Sequence, residues 1–215
     1  MALEALHRNG HNLDLLDCAA EGDYNIPIIH PVHLTERLEW ISFNCANTAR
    51  GRERLGVHFF IDDYLFERAW HDPKRYALLL MQYKAVMSPD YSLFTDYPKA
   101  VQIYNHYRKH LLAAYWQSVG MTVIPSICWS DHDSYRWCFD GEPHGGLVAV
   151  SSIGTQKSPQ ARTLFADGYR EMMTRLQPSG IVFFGDVPKG CEGRIEHHEA
   201  FYQSVHNRRK SSKDS

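Results

Sequence analysis

Several familiar signals are missing from this chain, and each absence narrows what it can be. No C-x-x-C pair occurs, and the five cysteines (Cys18, Cys45, Cys128, Cys138 and Cys191) are widely spaced and odd in number. That pattern fits reduced thiols of a cytosolic protein better than a disulfide framework or a zinc ribbon. No apolar run approaches the ~20 residues a membrane helix requires. The start, MALEALHRNGHNLDLLDCAAEGD, lacks a basic segment followed by an apolar block, so no secretory signal is expected. The formal net charge is only -2, so no global basic field draws the chain to nucleic acid. Neither a G-x-G-x-x-G nor a phosphate-loop motif follows any strand-like run, which counts against dinucleotide or NTP binding of those types. Internal repeats and low-complexity blocks are also missing. A cytoplasmic protein with no membrane partner is the expectation.

What is present is core-forming material. Of 215 residues, 44% are hydrophobic and 13% aromatic, consistent with one α/β domain over 1–206 and a disordered basic tail over 207–215. Short apolar runs alternate with helical periodicity. Strand candidates are Tyr24–Ile29, Glu39–Phe43, Gly56–Ile61, Lys84–Met87, Met121–Cys128, Leu147–Ser152 and Gly180–Phe184. Asp72-Pro73 opens a helix to about Tyr83, with a cap residue followed by proline. Pro98 opens a long helix to Ser118, with an apolar stripe of Val101, Tyr104, Tyr107, Leu111, Leu112 and Tyr115. Lys157-Ser158-Pro159 opens a third helix through Leu176, and Ile195 to Val205 reads as a last amphipathic stretch. Residues 1 to 23 read as a short amphipathic helix or irregular lead-in. Continuous apolar strands between helices indicate a mostly parallel sheet. Seven strand candidates predict a TIM-like (β/α) barrel, trimmed or incomplete, against a typical ~250 residues for a full one. An open doubly wound sheet is the competing architecture.

In a parallel sheet the strand C-termini share one rim. Asp62, Asp63, Asp90, Trp129, Asp131, Asp133, Ser151, Ser152 and Asp186 arrive there. Clustered carboxylates raise one another's pKa or recruit a cation. They suit acid–base work in glycosyl transfer or hydrolysis, or cation binding for phosphoryl chemistry. Asp62, Asp131 and Asp186 are the candidate catalytic or cation-binding groups. Asp63, Asp90, Trp129, Asp133, Arg52 and Ser151 are the candidate ligand contacts, with Trp129 as a stacking face. Against this stands the ordinary alternative that Ser130 and Asp131 cap the next helix. Trp137 and Phe139 read as core, while His132 and His144 are isolated proton carriers. Arg50, Arg52 and Arg54 form either a surface loop or an anion-binding one. No cofactor motif is evident, and a divalent cation such as Mg²⁺ is compatible with the acidic rim.

Four blocks carry a family likeness: FFIDDYLFERAWHDPKRY (59–76), SPDYSLFTDYPKAVQIYNHYR (88–108), VIPSICWSDHDSYRWCFDGEP (123–143) and GLVAVSSIG (146–154). They resemble an uncharacterised domain-of-unknown-function family of phages, plasmids and Gram-positive or gut bacteria. The same blocks are distantly similar to tRNA-guanine transglycosylase barrels, although the three-cysteine-plus-histidine zinc site of those enzymes is not present. The resemblance implies a mobile-element protein. Joined to the rim carboxylates, it suggests an enzyme acting on a nucleoside, nucleotide or nucleic-acid base. The alternatives are a non-catalytic protein that sequesters a nucleotide or contacts a host defence or replication protein, and nucleic-acid binding through the Arg50–Arg54 loop with the tail Arg208–Lys213.

Overall fold

A computed structural model describes residues 10–15 and 18–199. The tail over 207–215, with Arg208 to Lys213, and the expected lead-in over 1–9 lie outside the described residues. The chain forms a mixed α/β structure. A two-residue antiparallel hairpin, β1 (Ala20–Glu21) with β2 (Ile26–Pro27), comes first. Then follow β3 (Glu39–Ser42), β4 (Leu55–His58), α1 (Glu67–His71), α2 (Pro73–Leu80) and β5 (Ala85–Met87). After them come α3 (Lys99–Ser118), β6 (Val123–Ile124), β7 (Leu147–Ser151), α4 (Pro159–Leu176), β8 (Gly180–Phe184) and β9 (Ile195–His198).

Strands β3 to β6 form one parallel sheet and β7 to β9 another, each in chain order. A parallel bridge between Ser126 and Ala149 joins them. The seam is imperfect because Pro125 has no N–H to give a ladder. Its carbonyl instead accepts from the Ala149 N–H at 2.8 Å, and the Ile127 N–H donates to the Ala149 carbonyl at 2.8 Å. On the other side of the break, serine hydroxyls replace ladder bonds. The Ser126 N–H donates to Ser88 Oγ (2.8 Å), and Ser126 Oγ donates to the Ser88 carbonyl (2.7 Å).

Both sheet faces are buried, which explains why the strands read as continuous apolar runs. Successive side chains point to opposite faces. Ala85, Met87, Ile124, Ala149, Val182 and Phe184 pack into one core with Leu38 and Phe60. Their neighbours Val86 and Val123 enter a second core around Phe59 and Trp116. Val148, Val150, Ile181 and Phe183 enter a third core with Phe165 and Tyr169 of α4. Arg37, just before β3, reaches β9: its Nη2 donates to the His197 carbonyl at 3.0 Å.

Several expectations need correction. The first strand is only Ile26–Pro27, and it pairs with a hairpin partner rather than the main sheet. Met121–Cys128 shrinks to Val123–Ile124 for the proline reason above. Ile195–His198, expected as an amphipathic helix, is a strand paired in parallel with β8, and 200–205 of that stretch lie outside the described residues. The short α1 had no forecast. Helix α3 has its expected span, and of its expected stripe Leu111 and Leu112 are buried and Tyr107 and Tyr115 pack against the same core, but the N-terminal part differs. Val101 and Tyr104 are exposed, whereas Asn105, His106, Lys109 and His110 are buried.

The helix starts follow their local chemistry. Asp72 Oδ1 accepts from the Arg75 N–H (3.2 Å), and Ser158 Oγ from the Ala161 N–H (3.1 Å). Both helices carry proline in the first turn. Replacing Ser158 by Ala should cost about 1 kcal/mol in urea unfolding, and Ser158→Thr should cost much less. Equal losses in the two variants would show that the cap does not hold α4.

Candidate functional site

Loops after four successive parallel strands enclose a cleft of about 490 Å³. Phe60 to Asp62 follow β4, Asp90 to Thr95 follow β5, Ile127 to Ser130 follow β6, and Ser151 to Thr155 end and follow β7. Lys157 and the first turns of α4 close one side. Trp129 forms a fixed wall. Its Nε1–H donates to the Leu164 carbonyl at 3.1 Å, and its ring lies 5.4 Å from that of Phe165. Gly168 of α4 makes this possible, because a Cβ there would enter the indole ring.

Asp90 is the distinctive group of the cleft. It is partly exposed. Burial of its carboxyl, with the Asp63 carboxylate nearby, pushes its pKa up to about 7, against opposing pulls from Lys109 and a bond with Cys128. Asp63 is itself raised by burial, although it accepts from the Ser92 N–H (3.1 Å) and Ser92 Oγ (2.9 Å). Ser130 Oγ is buried with no hydrogen-bond partner.

Behind Asp90 lies a buried polar cluster. Lys109 Nζ donates to Glu142 Oε1 at 2.5 Å and to the Ser126 carbonyl at 3.0 Å. The two charged side chains are 1% and 0% exposed. His110 Nε2 stands 3.1 Å from the same Glu142 oxygen, and His110 Nδ1 donates to the Pro27 carbonyl at 2.8 Å. His106 Nε2 donates to the Asp140 carbonyl at 3.1 Å. Burial lowers the pKa of both histidines; for His106 the neighbouring His110 and Lys109 add to this. Glu142 is held below the usual carboxylate range by Lys109 and His110, which outweigh its burial.

The rim residues named from sequence divide into two groups. Asp62, Asp90, Trp129 and Ser151 meet in the cleft. Asp63 adjoins it through Ser92. Asp131 accepts from the Ser134 N–H (3.1 Å) and caps the 3-10 turn His132–Arg136, as the ordinary alternative has it. Asp133 pairs with Lys99 at 3.3 Å on the surface. Asp186 is exposed, and its carbonyl accepts from Ser152 Oγ (2.7 Å). Arg52 binds its own neighbourhood, donating to the Ala49 and Asn47 carbonyls and to Gln82. None of these last four lines the cleft. Sequence reasoning passed over Lys109, His106, His110 and Glu142. The available signal was polar residues three and four apart on α3, with a glutamate in the block CFDGEP to pair with them.

Comparison with known proteins is consistent with the sequence blocks. A family model described as "Domain of unknown function (DUF4417)" matches residues 18–201. The "Gene 1 protein" of Mycobacterium phage L5 is 45% identical over 131 residues, covering 61% of this chain and 57% of that protein. The "Gene 1 protein" of Mycobacterium phage D29 is 38% identical over 169 residues, covering 75% of this chain and 60% of that protein. The chain therefore spans about three-fifths of the length of these relatives. No solved structure matches it. Among the described residues no helix is long and apolar enough to cross a membrane.

The buried pair yields a stability prediction. Removing one charge leaves the other unpaired in the interior, so Glu142→Gln alone should cost about 3–5 kcal/mol. Adding Lys109→Met should recover part of that loss. A double-mutant cycle by denaturant unfolding measures it, and strictly additive losses would contradict the pairing.

Proposed function

The chain belongs to this phage-type family of unknown function, and from that premise we propose that its cleft is a small-molecule site where a nucleoside, nucleotide or nucleic-acid base is bound and processed by acid–base chemistry. The carrying observation is Asp90: a carboxyl raised to about 7 inside a cleft at the ends of parallel strands. Open α/β sheets and barrels alike place ligands at those ends. Seven parallel strands in chain order, the Ser126–Ala149 bridge and the Arg37 contact with β9 favour the TIM-like, trimmed-barrel form of the fold over a doubly wound one.

Each wall then has a chemical task. Asp90, about half protonated at neutral pH and more so below it, donates to a leaving atom as general acid. Asp62, at the mouth, is the second carboxylate that glycosyl transfer or hydrolysis needs. Trp129 offers an apolar face to a base or sugar. The hydroxyls of Ser92, Ser130 and Ser151 suit ribose, and Lys157 beside the N-terminus of α4 suits a phosphate. For a phosphorylated substrate, Asp62 and Asp90 are the residues that would hold a Mg²⁺, which would neutralise phosphate charge.

The test begins with mass spectrometry of ligands released from denatured protein, followed by turnover assays on nucleosides and nucleotides with and without Mg²⁺. Activity should fall as pH rises through about 7, because the acid form is lost. Asp90→Asn should lower turnover about 10²–10⁴-fold and remove that pH limb. A fully active Asp90→Asn variant, or a bound nucleotide that is recovered unchanged, rejects the catalytic reading; the second result leaves a binding protein. Stability has the same sign. A raised carboxyl favours the folded state below the ordinary 3.8, and that contribution disappears as pH climbs through about 7. Asp90→Asn should flatten this part of the pH–stability curve.

A further inference from the structure

We infer that His106, His110 and Glu142 form a binding site for one divalent transition-metal ion of the zinc type, set behind the floor of the cleft. The donor atoms of these three buried residues lie within 4.8 Å of one another. Their hydrogen bonds fix which atoms are available. A carbonyl only accepts, so His106 Nε2, facing the Asp140 carbonyl, and His110 Nδ1, facing the Pro27 carbonyl, each carry a proton. In the neutral rings the lone pairs then sit on His106 Nδ1 and His110 Nε2. Anchoring one imidazole nitrogen on a carbonyl while the other stays bare is how metal-binding histidines are held.

The bare atoms lack better partners. His106 Nδ1 and Glu142 Oε2 are buried with no hydrogen-bond partner. His110 Nε2 and Glu142 Oε1, two acceptors, face each other at 3.1 Å. In the neutral ring that contact lacks a hydrogen, and either a second ring proton or a nearby cation would relieve it. Two ligands each about 2.0–2.1 Å from a tetrahedral ion stand about 3.3 Å apart. The donor atoms of the three residues, all within 4.8 Å of one another, would draw in toward that separation around a bound ion.

Lys109 is the feature most adverse to a cation, yet its bonds leave room for one. It holds Oε1 and the Ser126 carbonyl, so Oε2 remains outside its reach. Two imidazoles and one carboxylate suit zinc or ferrous iron rather than the all-oxygen cations Mg²⁺ and Ca²⁺. The rival occupant is a buried water bridging His106 Nδ1 and Glu142 Oε2.

Zn²⁺ and Co²⁺, each alone, should be titrated into tag-free, chelator-treated full chain. The expected result is one tightly bound equivalent, with Co²⁺ giving the visible ligand-field bands of a four-coordinate ion. His106→Phe keeps a ring against Trp137 but removes one donor, and it should weaken Zn²⁺ at least about 100-fold. If that variant fails to fold by circular dichroism, X-ray absorption on the wild-type Zn²⁺ complex decides, by showing two imidazole ligands or not. Absence of stoichiometric binding overturns the site in favour of water. So does loose binding of several equivalents that His106→Phe leaves unchanged, which would be adventitious uptake by other histidines. Because the readout is metal content, the result is independent of whether the cleft proves catalytic.

Discussion

Lys109 and Glu142 set the terms for much of this half of the molecule. Removing two opposite charges from water costs several kcal/mol per ion unless each remaining donor and acceptor is matched. The protein meets part of that requirement with parts distant in the chain, leaving Glu142 Oε2 without a partner. Lys109 reaches the Ser126 carbonyl at the broken end of β6, and Glu142 is presented by the turn after Asp140. That turn is itself tied down. Gly141 has φ +73, and a Cβ there would strike the Pro27 carbonyl and the His110 ring. Its N–H donates to Glu21 Oε2 at 2.7 Å, and its carbonyl accepts from the Ile29 N–H at 2.8 Å. One buried ion pair thus aligns α3, the β6 break and the small N-terminal hairpin.

The break in β6 is also what opens the cleft. Had Pro125 and Ser126 continued the ladder, the chain would run on as a strand through Cys128. Instead, paired serine hydroxyls carry the β5–β6 contact. Asp90 and Trp129 follow those two strand ends and line the same hollow. Parallel strands bring the tips to one side.

Much of the scaffold was legible because it is local. Asp72-Pro73 and Ser158-Pro159 mark helix starts whose side chains do cap, and unbroken apolar runs mark strands covered on both faces. The buried polar face of α3 was not legible, although Leu111 and Leu112 of its apolar stripe were. Tyrosine and valine look like core and lysine looks like solvent, yet Lys109 is buried because Glu142, 33 residues away, neutralises it. Nothing near Lys109 announces that partner. The rim was half legible for a related reason. Asp62, Asp90, Asp131 and Asp186 all follow strands, but a carboxylate with a backbone N–H two or three residues ahead caps it, as Asp131 does. Ile195–His198 was misread because four residues settle helix against strand only through the neighbour they pair with.

The two polar assemblies act on each other. Burial and Asp63 drive the Asp90 carboxyl toward its neutral form, while the field of Lys109 draws it toward the charged one. Glu142 is the foremost of the groups that hold Lys109 in its charged form against burial. A change at Glu142, or a cation taking up its free oxygen, therefore reaches the cleft without touching any residue that lines it. Proximity within the fold, rather than in sequence, links α3 to the site: its inner face carries Lys109, whose field opposes the rise that burial and Asp63 impose on Asp90.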